Sequence, residues 1–259
     1  MIKAFHRPDT LDEALALKKQ FAADAVWMAG GSKLNAKPSI SSAEIAISLS
    51  QLALDQIQST ETALEIGATA SLQSLIDHPQ IPAALSDALG QMFSRNLRNQ
   101  ATLGGEIALA DQHSVVLPAL LALNAELVLA QGNNVSLKKY IAEKSDQLIL
   151  QIRLPLNIKA CFSHKISNTC SAKPMVCVAV ALTHDDQLKI GLSGVGPLLD
   201  LTLAATTEIE AIVLAVKEAI APESDFIGGA EAKSYLAGVL VSRLVEKALA
   251  EQVLSEEAK

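Results

Sequence analysis

The stretch Ala25–Asn35, AVWMAGGSKLN, decides the predicted fold, because a short apolar run ends abruptly in two adjacent glycines. Its first four residues predict a short buried strand. Gly30 and Gly31 allow the backbone to turn with positive φ and leave no Cβ in the way. Successive backbone N–H groups can then converge on a phosphate, beside the Ser32 hydroxyl and the Lys33 charge. A plain turn is the alternative, and the stretch is neither a GxGxxG motif nor a Walker loop.

A second cluster of small residues occurs at Arg98–Glu106, RNQATLGGE. It offers a hydroxyl at Thr102 and another pair of adjacent glycines, and it is expected to form a second loop. Two such segments in one chain can hold a ligand with two phosphates between them. Arg95 and Arg98 are candidate anion partners, although both can equally be ordinary surface arginines.

The first part of the chain predicts a βαβ-like opening followed by short strands and helices. Thr10 and Glu13 form a capping box, and apolar spacing then indicates a helix to about residue 22. Strands are expected at Ala25–Met28 and Glu44–Leu49, followed by a hairpin whose strands flank a Thr-Glu-Thr turn. Later elements are a helix from Ser71 to Asp77, one from Pro82 to Gly90, one over Ser114–Leu123, a hairpin at 126–135 and a strand at Leu148–Leu154.

A domain boundary is predicted at residue 157, because the pattern of elements changes there. Residues 158–259 predict an antiparallel meander followed by helices, which is an α+β pattern. Its strands are expected at 161–167, 175–183 and 188–193, and its helices at 207–220 and 231–254.

Composition and charge exclude several classes of function. The chain has 259 residues and a formal net charge of −7, which disfavours nucleic acid and anionic membranes as partners. No apolar run has the length that spans a bilayer, and the N-terminus lacks a signal-peptide stretch. A cytoplasmic protein is therefore expected.

Titratable and sulfur-containing residues give no sign of a metal or catalytic centre. The spacing of Cys161, Cys170 and Cys177 fits no zinc or iron–sulfur motif, and three ordinary thiols are expected. No acid, base or nucleophile needs a role, because Ser32 and Thr102 have no evident histidine partner. Adjacent aspartates at 185 and 186 are interpreted as a solvated hairpin turn. No catalytic or metal-binding residue is therefore predicted.

These segments, in this order and spacing, resemble the flavoprotein subunits of xanthine dehydrogenase and carbon monoxide dehydrogenase. The resemblance starts at the AGG segment, continues through RNxATxGG and spans nearly the whole chain. Further matching segments are Ile66–Ala68, the proline-led run Leu117–Leu123, the lysine-bearing Ser163–Ser167, the turn Ser193–Pro197 and Leu236–Val241 in the last helix.

The resemblance implies an α+β fold and an FAD site. The FAD-binding domain would be of the vanillyl-alcohol oxidase (PCMH) type, over residues 1–157 with parts at about 1–55 and 56–157. A smaller C-terminal domain resembling that of the carbon monoxide dehydrogenase flavoprotein would follow at 158–259. The implied FAD-binding residues are Met28, Ala29, Gly30, Gly31, Ser32, Lys33, Leu34, Thr102, Gly104, Gly105, Glu106, Ile149 near an adenine or flavin edge, and Lys165 near the isoalloxazine ring.

Several positions depart from the family's pattern. Glu106 stands where the family usually has Asn after the two glycines, and Val115 stands where it usually has Asp. In the family, that Asn and that Asp hydrogen-bond the flavin nucleotide. A carboxylate at 106 faces phosphates poorly, unless it accepts from a ribose hydroxyl instead. Loss of two such contacts is expected to weaken FAD binding by about 1–3 kcal/mol. Gly229 and Ala232 also stand where the family often has Ser and Tyr.

The function implied is electron transfer within a molybdenum hydroxylase of the xanthine dehydrogenase type. In that family, electrons pass from a molybdopterin subunit through an iron–sulfur subunit to FAD, and then to NAD or another acceptor. The chain would thus be an oxidoreductase subunit that works in a hetero-oligomer. Two alternatives stay open: a flavin-poor scaffold or assembly subunit, favoured by Glu106 and Val115, and a stand-alone flavin oxidase.

Overall fold

A small parallel sheet forms the N-terminal end of the fold, in a computed structural model that describes residues 2–36, 41–92, 94–132, 134–170 and 172–257. Its strand order is β1-β3-β2, and both neighbouring pairs are parallel. The predicted βαβ-like opening is confirmed, whereas β1 was not predicted because three residues carry too little periodicity. The elements are β1 (Ala4–His6), α1 (Leu11–Phe21), a 3-10 turn (Ala22–Asp24), β2 (Ala25–Met28) and β3 (Ile45–Ser48).

Helix α1 begins at the predicted cap, with one difference. The Thr10 hydroxyl accepts from the Glu13 N–H at 3.2 Å, as expected. The Glu13 carboxylate reaches one residue further than predicted and accepts from the Asp9 N–H at 3.1 Å. Two backbone donors at the helix start are still satisfied, which is the physical purpose of a capping box.

A five-stranded antiparallel sheet follows, with the order β4-β5-β8-β6-β7. Both predicted hairpins form its outer strands, and the strand predicted at Leu148–Leu154 becomes the central one, between β5 and β6. Its strands are β4 (Ile57–Ser59), β5 (Ala63–Gly67), β6 (Glu126–Leu129), β7 (Asn134–Ser136) and β8 (Ile149–Pro155).

Among the described residues, six short helices accompany this sheet, and three of them were not predicted. Four of the six begin at a Ser or Thr whose hydroxyl accepts a backbone N–H three residues on. The three that were missed have six or seven residues each, and their caps at Ser94, Thr102 and Ser136 were not recognised as helix starts. The helices are α2 (Leu72–Ile76), α3 (Ala83–Gly90), α4 (Arg95–Gln100), α5 (Leu103–Leu109), α6 (Val116–Ala122) and α7 (Leu137–Ala142).

The C-terminal part is a four-stranded antiparallel meander with two helices, as predicted except for its last strand. The strand order is β12-β11-β10-β9. The predicted turn at Asp185 and Asp186 joins β10 to β11, and Lys159 and Asn157 contact its carboxylates. The elements are β9 (Ile158–Ile166), β10 (Val176–Thr183), β11 (Gln187–Ser193), β12 (Leu199–Ala204), α8 (Ile209–Ala219) and α9 (Ala230–Glu257).

Strand β10 joins the two parts of the fold, because all eight of its residues are buried. Its small side chains Cys177, Ala179 and Ala181 belong to the core that includes α3 and α6. Its larger side chains, among them Val178 and Val180, belong to the core under α8 and α9. Since one strand belongs to both cores, the boundary at residue 157 stays a prediction.

Close packing of β11 on α6 depends on Gly191. A Cβ at this position would lie 2.2 Å from the Pro118 carbonyl oxygen, a backbone atom that cannot move alone. We expect Gly191→Ala to destabilise the protein by about 1–3 kcal/mol, the usual cost of overpacking. Urea unfolding measures this loss. Gly90→Ala is the control, because a Cβ at Gly90 meets nothing within 4 Å. Equal unfolding midpoints for both variants would contradict the packing argument.

Candidate functional site

The two glycine segments meet through their backbones. A Cβ on Gly30 would lie only 1.6 Å from the carbonyl oxygen of Gln100, so only glycine permits this approach. Gly104 approaches the five-stranded sheet in the same way: its N–H donates to the Ala68 carbonyl at 2.9 Å, and a Cβ would lie 2.7 Å from that oxygen. The structure therefore brings together the two segments that the sequence singled out.

The turn after β2 has the geometry expected of a phosphate-binding nest. Gly31 has a φ of 68°, and its carbonyl accepts from the Asn35 N–H at 2.9 Å. Among the described residues, the backbone N–H groups of Gly30, Gly31 and Ser32 donate to no protein acceptor. The Met28 side chain packs against this turn, because a Cβ on Gly31 would lie 2.5 Å from the terminal methyl group of Met28.

The second segment differs from the loop expected from the sequence. It consists of the end of α4, two connecting residues and the first turn of α5. The Thr102 hydroxyl accepts from the Gly105 N–H at 3.2 Å and thus caps α5. The Ala101 carbonyl accepts from the Leu72 N–H at 2.9 Å. The wall of the site formed by this segment is therefore held by regular hydrogen bonds.

Three adjoining cavities run along these segments. The first has a volume of about 370 Å³ and lies between the turn after β2 and α5. The second, of about 400 Å³, shares Trp27, Ala29 and Gly105 with the first and extends towards Ile149. The third, of about 80 Å³, shares Lys33 and Glu106 with the first. The first is lined by Ala29–Leu34, Thr102, Gly105 and Glu106, the second also by Gly104, Tyr140, Gln147 and Ile149, and the third also by His113, Val115 and Lys165.

Three buried polar atoms of the described residues line these cavities without a hydrogen-bond partner. Within the described part of the chain, Trp27 Nε1, His113 Nδ1 and Gln147 Oε1 are buried without a hydrogen bond. Each residue lines at least one of the three cavities. Buried polar groups are normally satisfied, so these atoms are available to hydrogen-bond a polar ligand in the cavities. None of the three was predicted from the sequence, although the chain's single tryptophan lies three residues before the glycine pair.

Electrostatics differ along the cavities. Glu106 is only 5% exposed, and burial raises the pKa of its carboxyl group; the nearby Lys33 opposes this shift and Asp111 adds to it. In the third cavity, burial lowers the pKa of Lys165, whose Nζ donates to the Cys170 carbonyl at 2.8 Å. On the second cavity, burial raises the pKa of Tyr140 to about 12, which keeps its phenol neutral.

Neither arginine proposed as an anion partner lines these cavities. Arg98 donates from Nε to the Gln73 side-chain oxygen at 3.0 Å and from Nη1 to the Met92 carbonyl at 2.7 Å. Arg95 is exposed on the first turn of α4. Arg98 therefore links α4 to α2 through Gln73.

Comparison with known proteins identifies the family. Residues 1–157 match the family model described as the FAD binding domain in molybdopterin dehydrogenase. The chain belongs to this family. The resemblance and the FAD-binding fold predicted from the sequence are thereby confirmed. The glycine turn with its free N–H groups and the three unpartnered polar atoms fit an elongated dinucleotide such as FAD.

Relatives of this FAD-binding family match over nearly their whole length. The uncharacterized protein YgfM of Escherichia coli K12 is 44% identical over 247 residues, 94% of this chain and 95% of its own. The carbon monoxide dehydrogenase medium chain of Hydrogenophaga pseudoflava is 26% identical over 281 residues, 95% of this chain and 96% of its own.

Solved structures share the fold. Reconstituted CO dehydrogenase from Oligotropha carboxidovorans matches with a TM-score of 0.83 and 25% identity, over 96% of this chain and 98% of that one. Quinoline 2-oxidoreductase from Pseudomonas putida 86 matches with a TM-score of 0.82 and 18% identity, over 96% and 97%. At 18% identity, the second likeness concerns the fold alone.

The described residues form neither a metal-binding group nor a membrane-spanning helix. Across the described ranges, no group of three or more His, Cys, Asp or Glu side chains could hold a metal ion. All three cysteines carry free thiols, with Cys161 and Cys177 buried and Cys170 exposed. Among the described residues, no helix combines the length and apolarity needed to cross a bilayer.

Gly30 provides the sharpest test of the site. We expect Gly30→Ala to reduce FAD affinity at least about tenfold, because the added methyl group pushes the turn away from Gln100 and opens the first cavity. Flavin fluorescence titration measures the affinity. Gly191→Ala is a matched control, since it creates a similar backbone clash away from all three cavities. An equal loss of affinity in both variants would show a general effect of misfolding.

Proposed function

We propose that this chain is the FAD-carrying electron-transfer subunit of a molybdenum hydroxylase. It would receive electrons from iron–sulfur clusters on a separate chain and pass them to NAD or another acceptor. The observation that carries the proposal is the row of three cavities, because both glycine segments of this FAD-binding family member line it. FAD, when bound, supplies chemistry that exchanges one or two electrons at a time.

Each cavity has residues suited to one part of FAD. Backbone N–H groups of Gly30, Gly31 and Ser32, with the Lys33 charge, would bind the diphosphate in the first cavity. Trp27 and Ile149 offer apolar surface for the adenosine part in the second cavity, and the unpartnered Gln147 oxygen can accept a hydrogen bond there. Residues of the third cavity would contact the isoalloxazine ring.

Lys165 is the residue best placed to tune the bound group. It lies on β9, where its N–H donates to the Gln91 side-chain oxygen at 2.9 Å. Its Nζ is oriented by the carbonyls of Cys170 and Ala172 at 2.8 and 3.4 Å. A cation fixed beside the ring favours whichever redox state carries more negative charge.

The proposed partner subunits would supply the iron–sulfur clusters, for which this chain shows no ligand motif. Cys161, Cys170 and Cys177 have no cluster-binding spacing, and the described residues contain no metal-binding group. One relative is by name the medium chain of carbon monoxide dehydrogenase. We therefore infer a hetero-oligomer with separate iron–sulfur and molybdopterin subunits.

The absorption spectrum of the protein tests the proposal most directly. We expect bands of bound oxidised flavin near about 370 and 450 nm, because both glycine segments that line the cavities belong to this chain. Natively purified protein should also contain iron–sulfur and molybdenum chains. Anaerobic NADH should bleach the longer-wavelength band if NAD is the acceptor. A colourless chain that takes up no added FAD would instead support the scaffold alternative, which Glu106 and Val115 favour.

Lys165→Met tests the proposed tuning. We expect FAD to stay bound while its midpoint potential falls, because the variant removes a positive charge beside the ring. Dye equilibration measures the potential. Lys159→Met is the matched control: it lies on the same strand but pairs with Asp186 at the hairpin turn. An unchanged potential in Lys165→Met would remove Lys165 from the flavin site.

A further inference from the structure

Glu106 places a carboxylate inside the proposed diphosphate site. The residue lies on the first helical turn of α5, directly after Gly105, and lines both the first and the third cavity. It is 95% buried, and among the described residues its carboxylate accepts no hydrogen bond and forms no ion pair. Burial disfavours the charged form of this carboxyl group, and either a proton or a ligand that donates a hydrogen bond would offset that cost.

The charged groups around Glu106 come from four segments. Lys33 approaches from the turn after β2, and Asp111 and His113 belong to the segment after α5. Lys165 on β9 and Lys173 before β10 line the third cavity, and Lys173 pairs with Asp111 at 3.5 Å. Burial has the largest effect on Glu106 and raises its pKa despite the attraction of Lys33.

A diphosphate in the first cavity would add two negative charges close to this carboxylate. Like charges at short range disfavour the ionised form of a carboxyl group, in the same direction as burial. A neutral carboxyl group removes the repulsion and gains an O–H donor, which a phosphate oxygen can accept.

We propose that FAD enters the first cavity together with one proton, and that this proton neutralises Glu106. The inference rests on the proposed function and adds that FAD binding is coupled to the uptake of one proton. The carboxylate, one proton and FAD combine into a complex that contains a carboxylic acid, and no covalent bond of FAD changes. Glu106 thereby makes FAD affinity depend on pH.

The direction of this dependence follows from two pKa values. Burial raises the pKa of Glu106 in the free protein. A bound diphosphate would raise it further, because a nearby negative charge disfavours the ionised carboxylate. Below the first value the carboxyl group is already neutral, so affinity is constant. Between the two values each rise of one pH unit lowers affinity about tenfold, because one proton is taken up. Above the second value, binding occurs to the ionised form and affinity is constant again.

Glu106→Gln separates the charge of this side chain from its shape. Affinity of the apoprotein for FAD is measured by flavin fluorescence across neutral pH, and proton uptake by calorimetry in two buffers with different heats of protonation. For the wild-type chain we expect affinity to fall with pH and proton uptake approaching one. For Glu106→Gln we expect affinity that is independent of pH and at least about tenfold higher on the alkaline side.

His113→Asn is the necessary control, because a protonated histidine would also bind an anion better at low pH. If Glu106 is the source, His113→Asn keeps the pH dependence and Glu106→Gln loses it. The reverse result overturns the proposal. It is also overturned if wild-type affinity does not vary with pH and Glu106→Gln binds more weakly, since the ionised carboxylate would then accept from a ribose hydroxyl.

Failure of this inference differs visibly from failure of the proposed function. If FAD binds with flat pH dependence and no proton uptake, the chain still carries FAD and only the role of Glu106 is lost. If neither the wild-type chain nor Glu106→Gln binds FAD at any pH, although both are folded by circular dichroism, the FAD-carrying function falls as well.

Discussion

The approach of Gly30 to the Gln100 carbonyl is the constraint on which the rest of the site depends. It fixes the end of β2 against the junction of α4 and α5, so that the turn after β2 and the first turn of α5 line one cavity. The contact of Gly104 with Ala68 then fixes that junction to the five-stranded sheet. A side chain at either glycine would separate two backbones that must touch. The cavity is therefore a product of missing Cβ atoms more than of any polar side chain.

The third cavity depends on a different principle, the sharing of one core by two parts of the chain. Strand β10 packs its small side chains against α3 and α6, which brings the neighbouring strand β9 close to them. Hydrogen bonds from the β9 backbone to Asp87 and Gln91 fix its register against the end of α3. Lys165 thus reaches the same cavity as Glu106, although the two residues lie far apart in the sequence.

The sequence predicted an element correctly where its local pattern of residues agreed with the way that element packs in the fold. The glycine pairs, the strand at Ala25–Met28 and the β-meander were all predictable, because periodicity and missing side chains act locally. Helices α4, α5 and α7 were missed because the Ser or Thr that caps each of them was not recognised as a helix start, and the two glycines of α5 disfavour a helix. Trp27, His113 and Gln147 were missed because a side chain becomes an unpartnered polar group only when the fold surrounds it. The sequence left the role of Arg98 open for the same reason: its acceptors on Gln73 and Met92 are visible only in three dimensions.

Complete enclosure of β10 also has a consequence for biosynthesis. The first 157 residues leave the ribosome before β10 has been made, while the apolar faces of α3 and α6 still lack their covering. Until the eight residues of β10 have been synthesised, the nascent chain exposes an apolar surface of the kind that chaperones bind. Synthesis that stops near residue 170 would therefore leave an aggregation-prone fragment rather than a usable half-protein. The FAD-binding part therefore depends on synthesis of the complete chain, including β10, to cover its apolar surface.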